Sequence, residues 1–186
     1  MAISRESALI RMVERASVFI LACCFLPELG SNLAPGQVRK PARVFKPALD
    51  EIQSKVSIPI LLPSKLPPAV PESGIKLARG EVRKDGYYIS LYYSEDANAS
   101  YAAGFDGSTL ILQDRDLPGS VRVPLSGGRT GIFRAVSCGG SCAPASLWWE
   151  ENGVMYGVHI RLAFNSPAKD QQNILVEAAN SSVPAP

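Results

Sequence analysis

Cys138-Gly-Gly-Ser-Cys142 sets two thiols four positions apart in a stretch built to bend. Such a pair can be a structural bridge, a redox couple or half of a metal site. Redox motifs of the thioredoxin kind keep two residues between their cysteines and sit beside a βαβ pattern; here there are three, and that pattern is absent. Zinc ordinarily takes four ligands, and two thiolates with one distant histidine fall short, so no metal site is expected. Two glycines and a serine let the chain curl tightly enough for bridge geometry. Closing so small a loop stabilises by about 2 kcal/mol on the chain-entropy account. The expectation is a structural Cys138–Cys142 disulfide.

His159 is the single histidine, so any imidazole chemistry must use it. Val154, Tyr156, Val158, Ile160 and Leu162 alternate with Met155, Gly157, His159 and Arg161. In a strand the apolar set turns to the core and the other set to the less buried face. Trp148 and Trp149 are consecutive and point oppositely, Trp148 sharing its side with Glu150 and lying less buried. Trp148, His159 and Arg161 are therefore the expected binding surface. A Ser/His/Asp triad stays open, because its members need not be neighbours in sequence, although no Gly-x-Ser-x-Gly elbow exists. Glu95, Asp96 and Asn98 fall in one loop and Asp114 and Asp116 in another; neither has the EF-hand pattern, and all read as solvated turn residues. Gly127-Gly128-Arg129 lacks the Gly-Lys-Ser/Thr ending of a phosphate loop. No residue is assigned as catalytic, and no cofactor is implied.

Strands must carry these residues. Tyr87 to Tyr93 alternates Tyr87, Ile89, Leu91 and Tyr93 against Tyr88, Ser90 and Tyr92, entered from an Asp85-Gly86 turn that pairs it with an edge strand at 75–84. Tyr101 to Phe105 is a short strand ended by Asp106-Gly107. Further strands are expected at 109–112, 120–125 and 131–136. Ser146 to Glu150 and Val154 to Leu162 make the clearest hairpin, turned at Asn152-Gly153. A helix opens at Pro47, with Leu49, Ile52 and Val56 as its apolar stripe and Asp50 and Glu51 near its positive end. Pro59 stops it, and Ile58 to Pro63 should cross the core as a proline-rich strap outside any central strand. Ser166 as cap and Pro167 open a last helix with Ile174, Leu175, Ala178 and Ala179 on one face. The fold expected is α+β: a single antiparallel β-sheet of about six to eight strands covered by an N-terminal and a C-terminal helix.

The N-terminal region sets the compartment. Ala16 to Leu26 is an apolar run behind Arg11 and Arg15, the pattern of a secretory signal. It is short for a spanning helix, which needs about 20 apolar residues. Ile20-Leu-Ala-Cys23 and Leu21-Ala-Cys-Cys24 are imperfect lipoboxes, which makes Cys23 and Cys24 the candidate lipidation sites. The expected division is a signal peptide or lipoprotein leader at 1–34, a basic proline-rich linker at 35–46, one α+β domain at 47–182 and a tail at 183–186. An oxidising, extracytoplasmic location (periplasm, cell envelope or secreted) then accords with the disulfide. The formal net charge of +2 does not argue for nucleic acid, which usually leaves a strong basic footprint.

Leu147-Trp-Trp-Glu-Glu-Asn-Gly-Val-Met-Tyr156, with Ile174-Leu-Val-Glu-Ala-Ala-Asn-Ser181 after it, resembles the end of certain uncharacterised bacterial secreted proteins and lipoproteins. In those a Trp-bearing strand, a Gly turn and a Tyr-bearing strand precede a helix ending in Ala-x-Ser. The strap from Pro59 to Pro63 resembles their Ile/Val-Pro-x-x-x-Pro opening. The resemblance implies an extracytoplasmic sheet-plus-helix domain with no established catalytic residues. The functional expectation is an exported, non-enzymatic binding or interaction domain. Its partner would be an envelope protein, a glycan or a lipid surface, with a membrane tether if a leader cysteine is lipidated. The alternative is an extracytoplasmic enzyme, thiol-redox through Cys138/Cys142 or a hydrolase using His159.

Overall fold

The computed structural model of the chain describes residues 39–97, 100–113, 118–139 and 141–186. The leader with Cys23 and Cys24, and the loop residues Asn98, Asp114 and Asp116, lie outside the described residues. In chain order the elements are α1 (Lys46–Ile52), β1 (Leu61–Pro63), β2 (Leu77–Arg83), β3 (Gly86–Tyr92), β4 (Tyr101–Ser108), β5 (Val121–Pro124), β6 (Thr130–Arg134), β7 (Ser137–Cys138), β8 (Cys142–Ala143), β9 (Ala145–Glu151), β10 (Val154–Ile160), α2 (Ala168–Asn180) and β11 (Ser182–Pro184). Seven strands form one sheet in the order β2-β3-β4-β10-β9-β6-β5, each neighbouring pair antiparallel. The class is α+β with a large antiparallel sheet, as the strand alternation and turn signals predict.

The central hairpin follows from its turn. Asn152 (φ 53°) and Gly153 (φ 75°) both take the left-handed conformation that a two-residue hairpin loop requires. This locks the β9–β10 register at Val154↔Glu151, and every later pair follows, through Val158↔Leu147 to His159↔Ser146. One face of the sheet then presents Ile89, Leu91, Phe105, Leu147, Trp149, Val158 and Ile160, all buried in a single apolar cluster. Burying a Leu, Ile or Phe side chain is worth about 1.5–3 kcal/mol. Both helices add their buried side chains to this same cluster: Ala48, Leu49 and Ile52 from α1, and Leu175, Ala178 and Ala179 from α2. Phe45, just before α1, meets Phe105 edge to face at 5.0 Å. Helix α1 lies directly on β2, where a Cβ on Gly80 would come within 2.6 Å of the Ala48 carbonyl oxygen. Gly80 N–H donates to Glu51 Oε2 at 2.8 Å, and β2 is an edge strand carrying Arg79, Glu81 and Arg83, charges that discourage further strand addition.

The strap is built into the fold rather than laid over it. Leu61–Pro63 pairs with Ser182–Pro184 in a separate two-stranded sheet. The Tyr156 hydroxyl donates to the Pro59 carbonyl at 3.1 Å, and Leu61 N–H donates to the Tyr87 hydroxyl at 3.1 Å. Residues 183–186, expected as a tail, thus begin inside a strand. Residues 35–46, expected as a linker, include the buried Ala42 and Phe45.

Asp106-Gly107 does not end a strand: β4 runs on to Ser108, between β3 and β10. Residues 109–112 form no strand, because Leu110 (65 % exposed) has left the sheet. The β2–β3 loop is Lys84-Asp85, with Gly86 already paired to Arg83. Asp50 and Glu51 sit at the far end of α1 instead of its first turn, because the helix spans only Lys46–Ile52. Ser166 makes no side-chain cap on α2; its carbonyl instead accepts from Gln171 Nε2 at 2.8 Å.

Candidate functional site: a polar cleft on the open face of the sheet

The face opposite the helices is assembled by register. Across the strands runs the row Arg134–Ser146–His159–Gly104–Ser90–Arg79, and beside it the row Ile132–Trp148–Gly157–Asp106–Tyr88–Glu81. Two glycines sit at the centre of these rows, diagonal to each other. A Cβ on Gly104 would run into the hydroxyls of Tyr88 and Tyr101, and one on Gly157 would run into the Asp106 carboxylate and His159 Nε2. The missing side chains make the floor on which the polar groups converge.

His159 lies at the middle of a hydrogen-bond chain. Its Nε2 is 2.5 Å from Asp106 Oδ1, and its Nδ1 is 2.9 Å from Ser146 Oγ. Ser146 Oγ is also within 3.2 Å of the Pro144 carbonyl. A proton must lie between Nε2 and Asp106. The Ser146 hydroxyl either donates to Nδ1, or donates to the Pro144 carbonyl and accepts from Nδ1.

Aromatic rings and two cations wall the cleft, which holds about 340 Å³ and is lined by Arg83, Tyr88, Asp106, Arg134, Pro144, Ser146, Trp148 and His159. Trp148 meets the imidazole edge to face at 5.4 Å, and Tyr88 lies tilted to it at 6.2 Å. The Arg134 guanidinium sits 5.3 Å from the Trp148 ring centre and that of Arg83 4.3 Å from Tyr88, both within cation–π range. Arg134 Nε is buried and without a hydrogen-bond partner among the described residues. The Tyr88 and Tyr101 hydroxyls bond each other at 3.0 Å. Burial raises the Tyr88 phenol above its usual range, against the lowering effect of that hydrogen bond; burial raises Tyr101 too, reinforced by Tyr88.

Beyond the tyrosine pair and Pro144 lies a larger cavity of about 670 Å³, bordered by Tyr101, Cys142, Arg161, Leu162 and Phe164. The chemistry nevertheless gathers in the smaller cleft. Of the expected surface, Trp148 and His159 come together there, whereas Arg161 faces the larger cavity. Trp148 shares the side of His159 as expected, yet it is only 7 % exposed, tucked with Met155 under Leu112 and Ile132. Cys138 and Cys142 are bonded across the two-residue ladder of β7 and β8. No group of three or more metal-capable side chains occurs among the described residues.

Sequence reasoning did not single out Asp106, Ser146, Tyr88 or Arg134 for this site. Ser146 was within reach of it: a two-residue turn at Asn152-Gly153 pairs it with His159 by counting back along the hairpin. Asp106 carried a weaker signal, the small and polar side Gly104, Asp106, Ser108 opposite the apolar Ala103 and Phe105. The chain matches no protein-family model, and neither curated proteins nor solved structures give a significant match.

Proposed function

We propose that the chain is an exported, non-enzymatic binding domain whose ligand occupies the His159 cleft, the partner being a component of the cell envelope. The export half rests on the apolar run after Arg11 and Arg15 and on the disulfide, which persists in oxidising compartments. Among the described residues no helix is long and apolar enough to cross a membrane. The binding half rests on one observation: Ser146, whose hydroxyl bonds His159, is only 1 % exposed. A histidine held between a carboxylate and a serine is also the resting arrangement of a Ser-His-Asp triad, so access to the serine is what separates binding from turnover. Ser146 borders the cleft but offers almost no surface to a substrate carbonyl. What remains open to a ligand is an ordered polar surface held by packing, the arrangement that recognition favours.

Hydrolysis is the second reading, and the Ser146–His159–Asp106 chain is what favours it. The two readings part on turnover. Binding predicts ligand-induced shifts of the His159 and Trp148 ring resonances in NMR with the ligand recovered unchanged. Turnover abolished by both His159→Ala and Ser146→Ala would replace the binding reading with the enzymatic one. Cell fractionation with thiol trapping tests export: the bridged protein outside the cytoplasm is expected, and a reduced chain in the cytosol would overturn it.

A further inference from the structure

Arg134 and Arg83 are the two cationic side chains that reach the cleft, against a single acid, Asp106, that lines it. Asp106 is directed at His159 Nε2, which leaves the positive field of the guanidiniums for whatever enters. Glu81 offsets Arg83 in part, through a 3.4 Å contact between exposed groups, and such contacts are weak.

The aromatic faces in the cleft are already occupied. Arg83 covers Tyr88 and Arg134 approaches Trp148, so a sugar ring or aromatic ligand has no bare ring to stack on without displacing an arginine. The resting pose of Arg134 is also incomplete. Its Nε is buried without an acceptor, and a buried donor left unpaired is unfavourable. Arg134 lines the cleft, so an oxygen entering there would offer the guanidinium the acceptor it lacks. Guanidinium forks match planar or tetrahedral oxyanions with two parallel hydrogen bonds. His159 offers no third donor here, since both its nitrogens are engaged; it braces Asp106 against swinging into the ligand's place.

We infer that the cleft is an oxyanion site, binding a carboxylate or phosphate group between Arg134 and Arg83. This deepens the binding reading above and rests on it: the anionic group would belong to an envelope ligand, and its chemistry, not ring stacking, would select it.

The test is an NMR titration of the purified protein with arginine Nε–Hε signals resolved, using paired probes: acetate against acetamide, and glycerol phosphate against glycerol. Saturable shifts of the Arg134 and Arg83 signals with an anion, absent with its neutral counterpart, are expected. Arg134→Gln and Arg83→Gln should each weaken that binding by about tenfold or more, the scale of one charge-assisted hydrogen bond, with an unchanged melting temperature showing that the fold survives. Preference between acetate and glycerol phosphate tells a carboxylate ligand from a phosphate one. If the neutral probes shift cleft resonances as well as the anions do, the oxyanion inference falls and the binding reading stands. If no probe moves either arginine, or anion binding survives both substitutions, the oxyanion inference is overturned.

Discussion

The two faces of the seven-stranded sheet are made from the same strands by opposite rules. On the covered face Leu147, Phe105, Val158 and Ile160 are wholly or almost wholly buried against side chains from both helices. On the open face, one residue along each strand, stand Ser146, Asp106 and His159, joined by hydrogen bonds. The covered face gains from area removed from water and needs only matching volume. The open face depends on direction, because each polar group must meet its partner at hydrogen-bond distance or forfeit the interaction. Cutting a side chain should therefore harm the first face in proportion to volume. The second should respond to geometry.

The largest break in that contrast is expected on the covered face. Leu147→Ala should cost about 2–5 kcal/mol in denaturant unfolding, since it leaves a cavity under α2, while the His159 resonances of the folded fraction stay in place. A loss under about 1 kcal/mol would mean that this face is less tightly packed than its burial implies.

Alkaline pH probes both faces together. Tyr87 and Tyr156 on the covered side have phenols raised by burial, Tyr156 to about 12, and Tyr88 and Tyr101 on the open side are raised as well. A folded value above the unfolded one means that the neutral phenol is favoured by folding. Its stabilisation is full below pH 10, the ordinary tyrosine value, and is lost as pH climbs through about 12 for Tyr156. Phenolate absorbance should therefore lag behind that of an unfolded control above pH 10 and then rise together with unfolding. Early independent titration of these four tyrosines would contradict the packing described.

Gly157→Ala is the sharper probe of the open face. One methyl would displace Asp106 and His159 Nε2, at a cost of about 1–3 kcal/mol for overpacking, and it should abolish the downfield proton signal expected of the Asp106–His159 hydrogen bond. His159→Ala should cost a similar amount, about 1–3 kcal/mol, because it strands the Asp106 carboxylate. The smallest effect is expected at the hairpin of β7 and β8. Cys138→Ser with Cys142→Ser should lower stability by about 2 kcal/mol or less, with the His159 signals unmoved, because the bridge closes only a local loop.

Much of this was legible along the chain. The Asn152-Gly153 hairpin, the alternation that sends His159 and Trp148 to the less buried side, the α2 stripe and the Cys138–Cys142 pairing are all encoded within a few residues. Each depends on strand or helix period or on turn chemistry. The site itself was only half legible. Ser146 meets His159 by hairpin register, but Asp106 lies 53 residues from it in sequence and sits in what reads locally as a turn. Arg134 and Tyr88 arrive from strands two positions apart from β10 in the sheet.

The sequence by itself thus determined the class of the fold, the facing of β9 and β10 and the covalent loop, because these follow from short-range periodicity and local backbone preference. The order of the strands was left to the tertiary structure, and with it the meeting of Asp106, His159, Ser146 and Arg134 over two glycines. The reason is physical: neighbours in a sheet are chosen by the joint burial of whole faces, a sum over distant residues that no local window contains.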